Sequence, residues 1–308
     1  MSTESVTATR TLVLGEDAVT PDPSGRRRVA PKTRGERMRL VIAHVFIYLA
    51  ALVFVSPLVY AFFSALKPNI EIFSMPPTLI GSQIKWQNFA EVFAYGPFWT
   101  YIGNSLFVAV AGTLVVLIVS TAAGYAFGRL RWKGRDVVFV LFLATLMVPA
   151  EVLVIPMFQV MQWFGWVNTY PALIFPFAFG AFGTFLMRQF FRGIPFELEE
   201  AARMDGAGPV RTFLRIILPL SKSAVAVLSV FTFLSFWNSY LWPLIVTVDY
   251  ATLGTLPVGL ASFSGLTGTR WDLQMAAAII SMIPTTLLVI VLQKHLIKGI
   301  AMAGLGGR

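Results

Sequence analysis

Residues 102–128 read IGNSLFVAVAGTLVVLIVSTAAGYAFG, with no aspartate, glutamate, lysine or arginine among them. A bilayer core takes roughly 20 helical residues, so this run is long enough to cross one. Further apolar stretches lie at about 40–66, 137–161, 171–191, 222–247 and 274–297. Together they predict an all-α integral membrane protein with six transmembrane helices. The composition agrees: 56% of the 308 residues are hydrophobic and 13% charged, and a mean hydropathy of +0.73 lies outside the range of a soluble domain.

The formal net charge of +9 is no nucleic-acid footprint, because the basic residues are interleaved with apolar spans and form no basic face on a compact domain. Their placement carries topology. Arg10, Arg26, Arg27, Arg28, Lys32, Arg34, Arg37 and Arg39 precede the first span. The second and third spans are joined through four basic residues, Arg129 to Arg135, and the fourth and fifth through six, Arg188 to Lys222; Lys294, Lys298 and Arg308 end the chain. The opposite side holds only Lys67, Lys85 and Arg270. Lysine and arginine favour the cytoplasmic side, so both termini are expected there. Residues 1–38 read as a flexible basic tail, 39–300 as the transmembrane domain and 301–308 as a cytoplasmic tail. The apolar run after the first tail is longer than a signal-peptide core and is expected to stay as the first span.

Several chemistries are excluded. There is no cysteine, hence no disulfide, thiolate site or thiol nucleophile. His44 and His295 stand at opposite ends of the chain and read as interfacial or packed side chains, since a metal site needs several convergent ligands. HExxH, GxSxG and paired intramembrane acids are absent, so no intramembrane enzyme is indicated; without GxxxxGK[ST], the chain is not expected to hydrolyse ATP. A secondary carrier would need paired intramembrane charges, for which Glu151 alone is thin support.

The most informative connection is 192–220, RGIPFELEEAARMDGAGPVRTFLRIILPL. Pro195 suits a helix start, and Glu197, Glu199 and Glu200 place acid where the helix dipole favours it. Ala201 and Ala202 are strong helix formers, and the helix should stop near Gly206 to Gly208. Pro209 suits the first turn of a second helix with an apolar stripe of Phe213, Leu214 and Ile217, before Pro219 marks another break.

In this loop the chain resembles the permease subunits of binding-protein-dependent ABC importers, whose signature is Glu-Ala-Ala, three residues, Gly, nine residues, then Ile-x-Leu-Pro. Glu200, Ala201, Ala202, Gly206, Ile216, Leu218 and Pro219 fill that register. The likeness covers nearly all of 40–308 and is closest to the second permease of carbohydrate-uptake importers of the maltose type. Asn104-Ser105, Tyr125 to Arg129, Trp237 to Pro243 and Gln293 to Ile300 support it. The closing Gly304-Leu305-Gly306-Gly307-Arg308 departs from the ending common in relatives, and the Arg-rich tail is not a family feature.

The resemblance implies a type I importer permease fold in a bacterial inner membrane. Its partners would be a second permease, two ATP-binding subunits that hold ATP and Mg, and an extracytoplasmic solute-binding protein or lipoprotein. The loop would be the coupling element that docks in a cleft of the ATPase, with Glu200 and Asp205 offering carboxylates to basic groups there. A di- or oligosaccharide is the first expected solute and glycerol phosphate or a glycerophosphodiester the second.

Polar groups inside spans are costly and tend to face the bundle interior. Glu151 in the third span either faces a cavity or interhelical contact, or is hydrated at the outer interface; Pro149 and Pro156 should break the helix beside it. Trp237, Asn238, Ser239 and Tyr240, with Trp242, interrupt the fifth span. Such a set suits a sugar, which presents both C–H patches and hydroxyls, and equally suits packing or interface anchoring. The outer loops, 67–101 and 248–273 with Trp86 and Trp271, either meet an external partner or simply connect spans.

Overall fold

The computed structural model describes residues 34–265 and 268–305, so most of the basic tail and the last three residues lie outside it. The helices are α1 Arg34–Ala65, α2 Gln87–Tyr95, α3 Phe98–Gly128, α4 Arg135–Ala144, α5 Val154–Trp163, α6 Tyr170–Ile174, α7 Ala181–Arg192, α8 Glu197–Met204, α9 Pro209–Thr212, α10 Leu218–Leu220, α11 Lys222–Trp237, α12 Leu241–Val246, α13 Tyr250–Leu253, α14 Leu256–Ala261 and α15 Trp271–Leu305. A short antiparallel hairpin pairs Ser264–Gly265 with Gly268–Thr269. The described residues divide between Val55 and Ser56 into two units, the first of which is the N-terminal portion of α1.

Met38–Ala65, Phe98–Gly128 and Trp271–Lys294 are each long and apolar enough to cross a membrane. Three more candidates are helix pairs bent by 92° (135–147 with 150–163), 48° (170–177 with 181–192) and 78° (209–220 with 222–237). The expected third and fourth spans are therefore broken. The expected fifth, 222–247, is α11 and α12 separated at Asn238 to Tyr240. Apolar side chains such as Leu114, Ile118, Leu141, Ile155, Leu287 and Val291 are exposed, as a lipid-facing surface requires.

The centre of the second unit is α3, which packs most extensively on α7 and α11; α11 in turn packs on α15. Its buried positions, including Tyr101, Asn104, Ser105, Val108, Gly112, Val116, Ser120, Gly124 and Tyr125, recur at helical spacing and are rich in small residues. Without a hydrophobic gradient between helices in lipid, close backbone approach supplies the packing energy. A β-carbon at Gly124 would lie 2.7 Å from Met187 Cβ and 3.0 Å from the Arg188 backbone nitrogen, so α7 sits against bare backbone there.

The two stretches read as outer loops are joined to each other. Asn69 donates to Thr269 O at 3.2 Å and accepts from Trp271 N at 2.9 Å. Phe73 meets the Trp271 ring edge-on, and Arg270 pairs with Glu91 and Asp272. Within the first loop, Ser82 donates to Glu71 through both its backbone N–H and its hydroxyl. These bonds, led by the hydroxyl, hold the Glu71 carboxyl below the usual carboxylate range. A lowered native pKa contributes order that is present above the unfolded-state pKa and lost as pH falls through the lowered one. Hydrogen exchange of residues 67–88 is therefore expected to stay protected to below the ordinary carboxylate range and then to rise on further acidification. In Glu71→Gln that acid step should vanish.

Candidate functional site

The 192–220 connection folds as two short helices joined by a tight turn. Helix α8 begins after Pro195, with Glu199 N and Glu200 N both donating to Phe196 O. It ends at Met204 because Gly206 takes φ +76°. Gly206 N then donates to Arg203 O at 2.9 Å and Ala207 N to Ala202 O at 2.9 Å, the double capping of carbonyls that a left-handed glycine after a helix permits. Gly208 precedes α9, and Pro209 occupies its first position, where a missing N–H costs nothing.

Pro219 produces no immediate break. Phe213–Ile217 is a π-helical turn, and this widening accommodates the absent donor and the ring of Pro219. The chain turns by 78° at the junction with α11, where buried Ser221 donates back to Ile217 O at 2.7 Å; such side-chain back-bonding bends helices. The expected stripe resolves into buried Ile217, half-buried Phe213 and exposed Leu214.

Among the residues expected to touch an ATPase, Glu200, Ala201, Asp205, Gly206 and Pro219 are exposed, Ile216 and Leu218 are half-buried, and Ala202 is buried. Met204 at 88% exposure and Val210 at 71% flank the turn, giving it an open apolar rim.

Glu199 was not singled out as a contact residue, yet it is the buried acid of α8, 1% exposed. Its carboxylate is bound by Arg129 Nε. Arg129 Nη1 also donates to Phe191 O at 3.2 Å and Ile194 O at 3.0 Å, and Nη2 to Pro195 O at 3.4 Å. The guanidinium lies 4.8 Å from the centroid of the Phe196 ring, a cation–π distance. A sequence signal existed: Glu199 and Ala202 are three apart and share one helix face, whereas Glu200 falls off it.

The second group is dispersed. Glu151 is exposed in a one-turn 3-10 helix, Ala150–Leu153, directly after the 92° break at Val148-Pro149. Residues 135–147 rise about 20 Å before that break, less than the roughly 30 Å hydrocarbon core. Pro156 does not break the helix as expected; it sits in the first turn of α5, where donors are unpaired anyway.

Trp237 is buried, and its Nε1 donates to Ser281 O at 3.1 Å, shortly before Pro284 interrupts the ladder of α15. Trp242 likewise donates to Ala172 O at 2.8 Å. Both indoles are helix-to-helix clamps. Asn238 and Tyr240 are exposed and Ser239 half-buried at the break between α11 and α12.

The family model for the binding-protein-dependent transport system inner membrane component matches residues 120–302. Over 268 residues the chain is 38% identical to the sn-glycerol-3-phosphate transport system permease protein UgpE of Yersinia enterocolitica, covering 84% of this chain and 95% of that protein. It is 34% identical over 271 residues to the arabinooligosaccharides transport system permease protein AraQ of Halalkalibacterium halodurans, with 87% and 96% covered. A chain of a solved bacterial ABC transporter involved in import of the acidic polysaccharide alginate superposes with a TM-score of 0.73 at 26% identity, covering 86% of this chain and 99% of that one.

Proposed function

This chain belongs to the family of binding-protein-dependent transport system inner membrane components, and from that premise we infer that it forms one half of the translocation pathway of an ATP-driven importer. It is a non-catalytic multi-pass membrane subunit. Our reading has six spans in residues 39–300, both termini cytoplasmic, and a second permease as the other half. Two ATP-binding subunits, holding ATP and Mg, drive it, and an extracytoplasmic binding protein or lipoprotein delivers solute. The bent helix pairs support six rather than three crossings, and the distribution of lysine and arginine supports the orientation.

The observation that carries the coupling assignment is the exposed turn at Asp205-Gly206 between α8 and α9, with Glu200 and Ala201 open beside it. A helix end presenting small residues and free carboxylates is suited to seat in a partner's cleft lined with basic groups. Closure of the ATP-binding subunits then displaces α8 and α9, and the bends at 148 and 221 allow spans to reorient. The two states must differ in affinity for solute and nucleotide for that displacement to drive transport.

The solute we propose is a di- or oligosaccharide, supported by the likeness to the arabinooligosaccharide permease. A glycerol phosphate is the second reading, favoured by the higher identity to the glycerol-3-phosphate permease. Calorimetric titration of the cognate binding protein with arabino-oligosaccharides, maltose and sn-glycerol 3-phosphate separates the two; binding of none would overturn both.

Glu151 and the Asn238-Ser239-Tyr240 break are the path residues we propose. Glu151→Gln is expected to lower initial uptake about tenfold, the equivalent of about 1.4 kcal/mol, while the yield of assembled complex is unchanged. Wild-type uptake by that variant removes Glu151 from the path.

A further inference from the structure

The rigid element through which the turn at Gly206 can act on the rest of the molecule is α3, and it is bonded at both ends. Its first turns are held where Asn104 Nδ2 donates to Thr252 O at 3.0 Å and Gly254 O at 2.9 Å, Tyr170 donates to Asn104 Oδ1 at 2.6 Å, and Leu256 N donates to Ser105 Oγ at 2.7 Å. Its last turn ends at Arg129, whose guanidinium bonds the Glu199 carboxylate, the Phe191 carbonyl at the end of α7 and the Ile194 and Pro195 carbonyls of the α7–α8 connection. Both Arg129 and Glu199 are more than nine-tenths buried.

We propose that Arg129 and Glu199 are positioning residues for coupling: the pair fixes α8 to the end of α3, so that displacement of the Gly206 turn moves α3, and with it the 252–256 segment at the other end, as one body. This rests on the reading that α8 and α9 meet an ATPase. The chemistry suits a rigid joint. Arginine presents a planar fork that several acceptors hold in one orientation, which a lysine ammonium on its flexible stem does not. A second arginine reinforces the same end: Arg188 of α7 donates to Phe127 O at 3.1 Å and to Asp136 Oδ1 at 3.0 Å, joining α7, α3 and α4. Glu200, one residue on, is exposed and left for a partner.

The test uses the full complex in proteoliposomes, with sn-glycerol 3-phosphate and an arabino-oligosaccharide as probes, measuring solute taken up per ATP hydrolysed and ATPase subunit retained on purification. Glu199→Gln and Arg129→Lys preserve size and one hydrogen bond, so the complex should assemble. Uptake per ATP should fall at least tenfold in each, and Arg129→Lys/Glu199→Gln should be no worse than the poorer single variant, because one joint is lost in every case. The proposal is overturned if both single variants transport with the wild-type ratio, if the double-variant losses add independently, or if the only defect is poor assembly while the assembled fraction couples normally. If the ATPase subunit does not co-purify with the wild-type chain, the reading that α8 and α9 meet an ATPase fails and not only the joint.

Discussion

Gly206→Asp is expected to abolish ATP-dependent uptake while leaving the chain inserted in the membrane. Two effects act at this one position. The backbone has φ +76°, a conformation costing an L-residue roughly 1–2 kcal/mol, less for aspartate than for most. A new side chain also projects from the turn between α8 and α9. Among the described residues, no atom beyond its two chain neighbours lies within 4 Å of a β-carbon built there, so the fold itself has room and the added bulk and charge fall on whatever meets the turn. Gly206→Asn separates the contributions: it tolerates the left-handed conformation and adds similar bulk without charge. If both variants lose uptake equally, steric seating decides; if only aspartate loses it, charge does. Uptake into vesicles, with the amount of membrane-inserted chain as the control, reads the difference. Wild-type uptake by Gly206→Asp contradicts the coupling role.

Gly124→Val should act through a different route, by failing to fold. The added β-carbon would meet Met187 Cβ at 2.7 Å and the Arg188 backbone nitrogen at 3.0 Å, and backbone cannot swing aside as a flexible side chain can. Prising α7 from α3 disturbs the packing along both helices and the Arg188 bonds to Phe127 O and Asp136. Overpacking of this kind costs typically 1–3 kcal/mol, a large part of a marginal stability. The expected result is a lower thermal transition in detergent and a sharply reduced yield of complex. An unchanged transition would show that α3 and α7 are not in close backbone contact at this position.

The signals legible in the sequence were the local ones. The end of α8, the turn at Gly206 and the start of α9 at Pro209 follow from residue-level rules about left-handed glycine and N-terminal proline, and the structure has them there. Long apolar runs mark the helices that are long and apolar enough to cross a membrane, Met38–Ala65, Phe98–Gly128 and Trp271–Lys294. Hydropathy is blind to direction, however, so by itself it shows 137–161, 171–191 and 222–247 as continuous; Pro149 and the polar Asn238 to Tyr240 mark two of the breaks, and the 48° bend between 177 and 181 carries no such mark. Proline position needed the finer rule, since Pro156 falls in a first turn and Pro219 is absorbed by a π turn.

Long-range pairing left the weakest trace. Glu199 and Glu200 are chemically identical neighbours, and only the arrival of Arg129 from 70 residues away makes one a buried anchor and the other an exposed carboxylate. The aromatic cluster was ambiguous for the same reason. Trp237 and Trp242 find carbonyl partners on α15 and α6, which moves them into packing and leaves Asn238 and Tyr240 as the open groups.

The natural absence of cysteine makes the most direct test simple. A single cysteine at Met204, 88% exposed beside the Gly206 turn, or at Met75, 88% exposed in the stretch tied to Trp271, is carried in the full complex and treated with a short thiol-to-amine cross-linker. Met204→Cys should join this chain to the ATP-binding subunit, and Met75→Cys should not. A complex competent for uptake in which Met204→Cys yields no such product, or Met75→Cys does, contradicts the assignment of α8 and α9 as the coupling element.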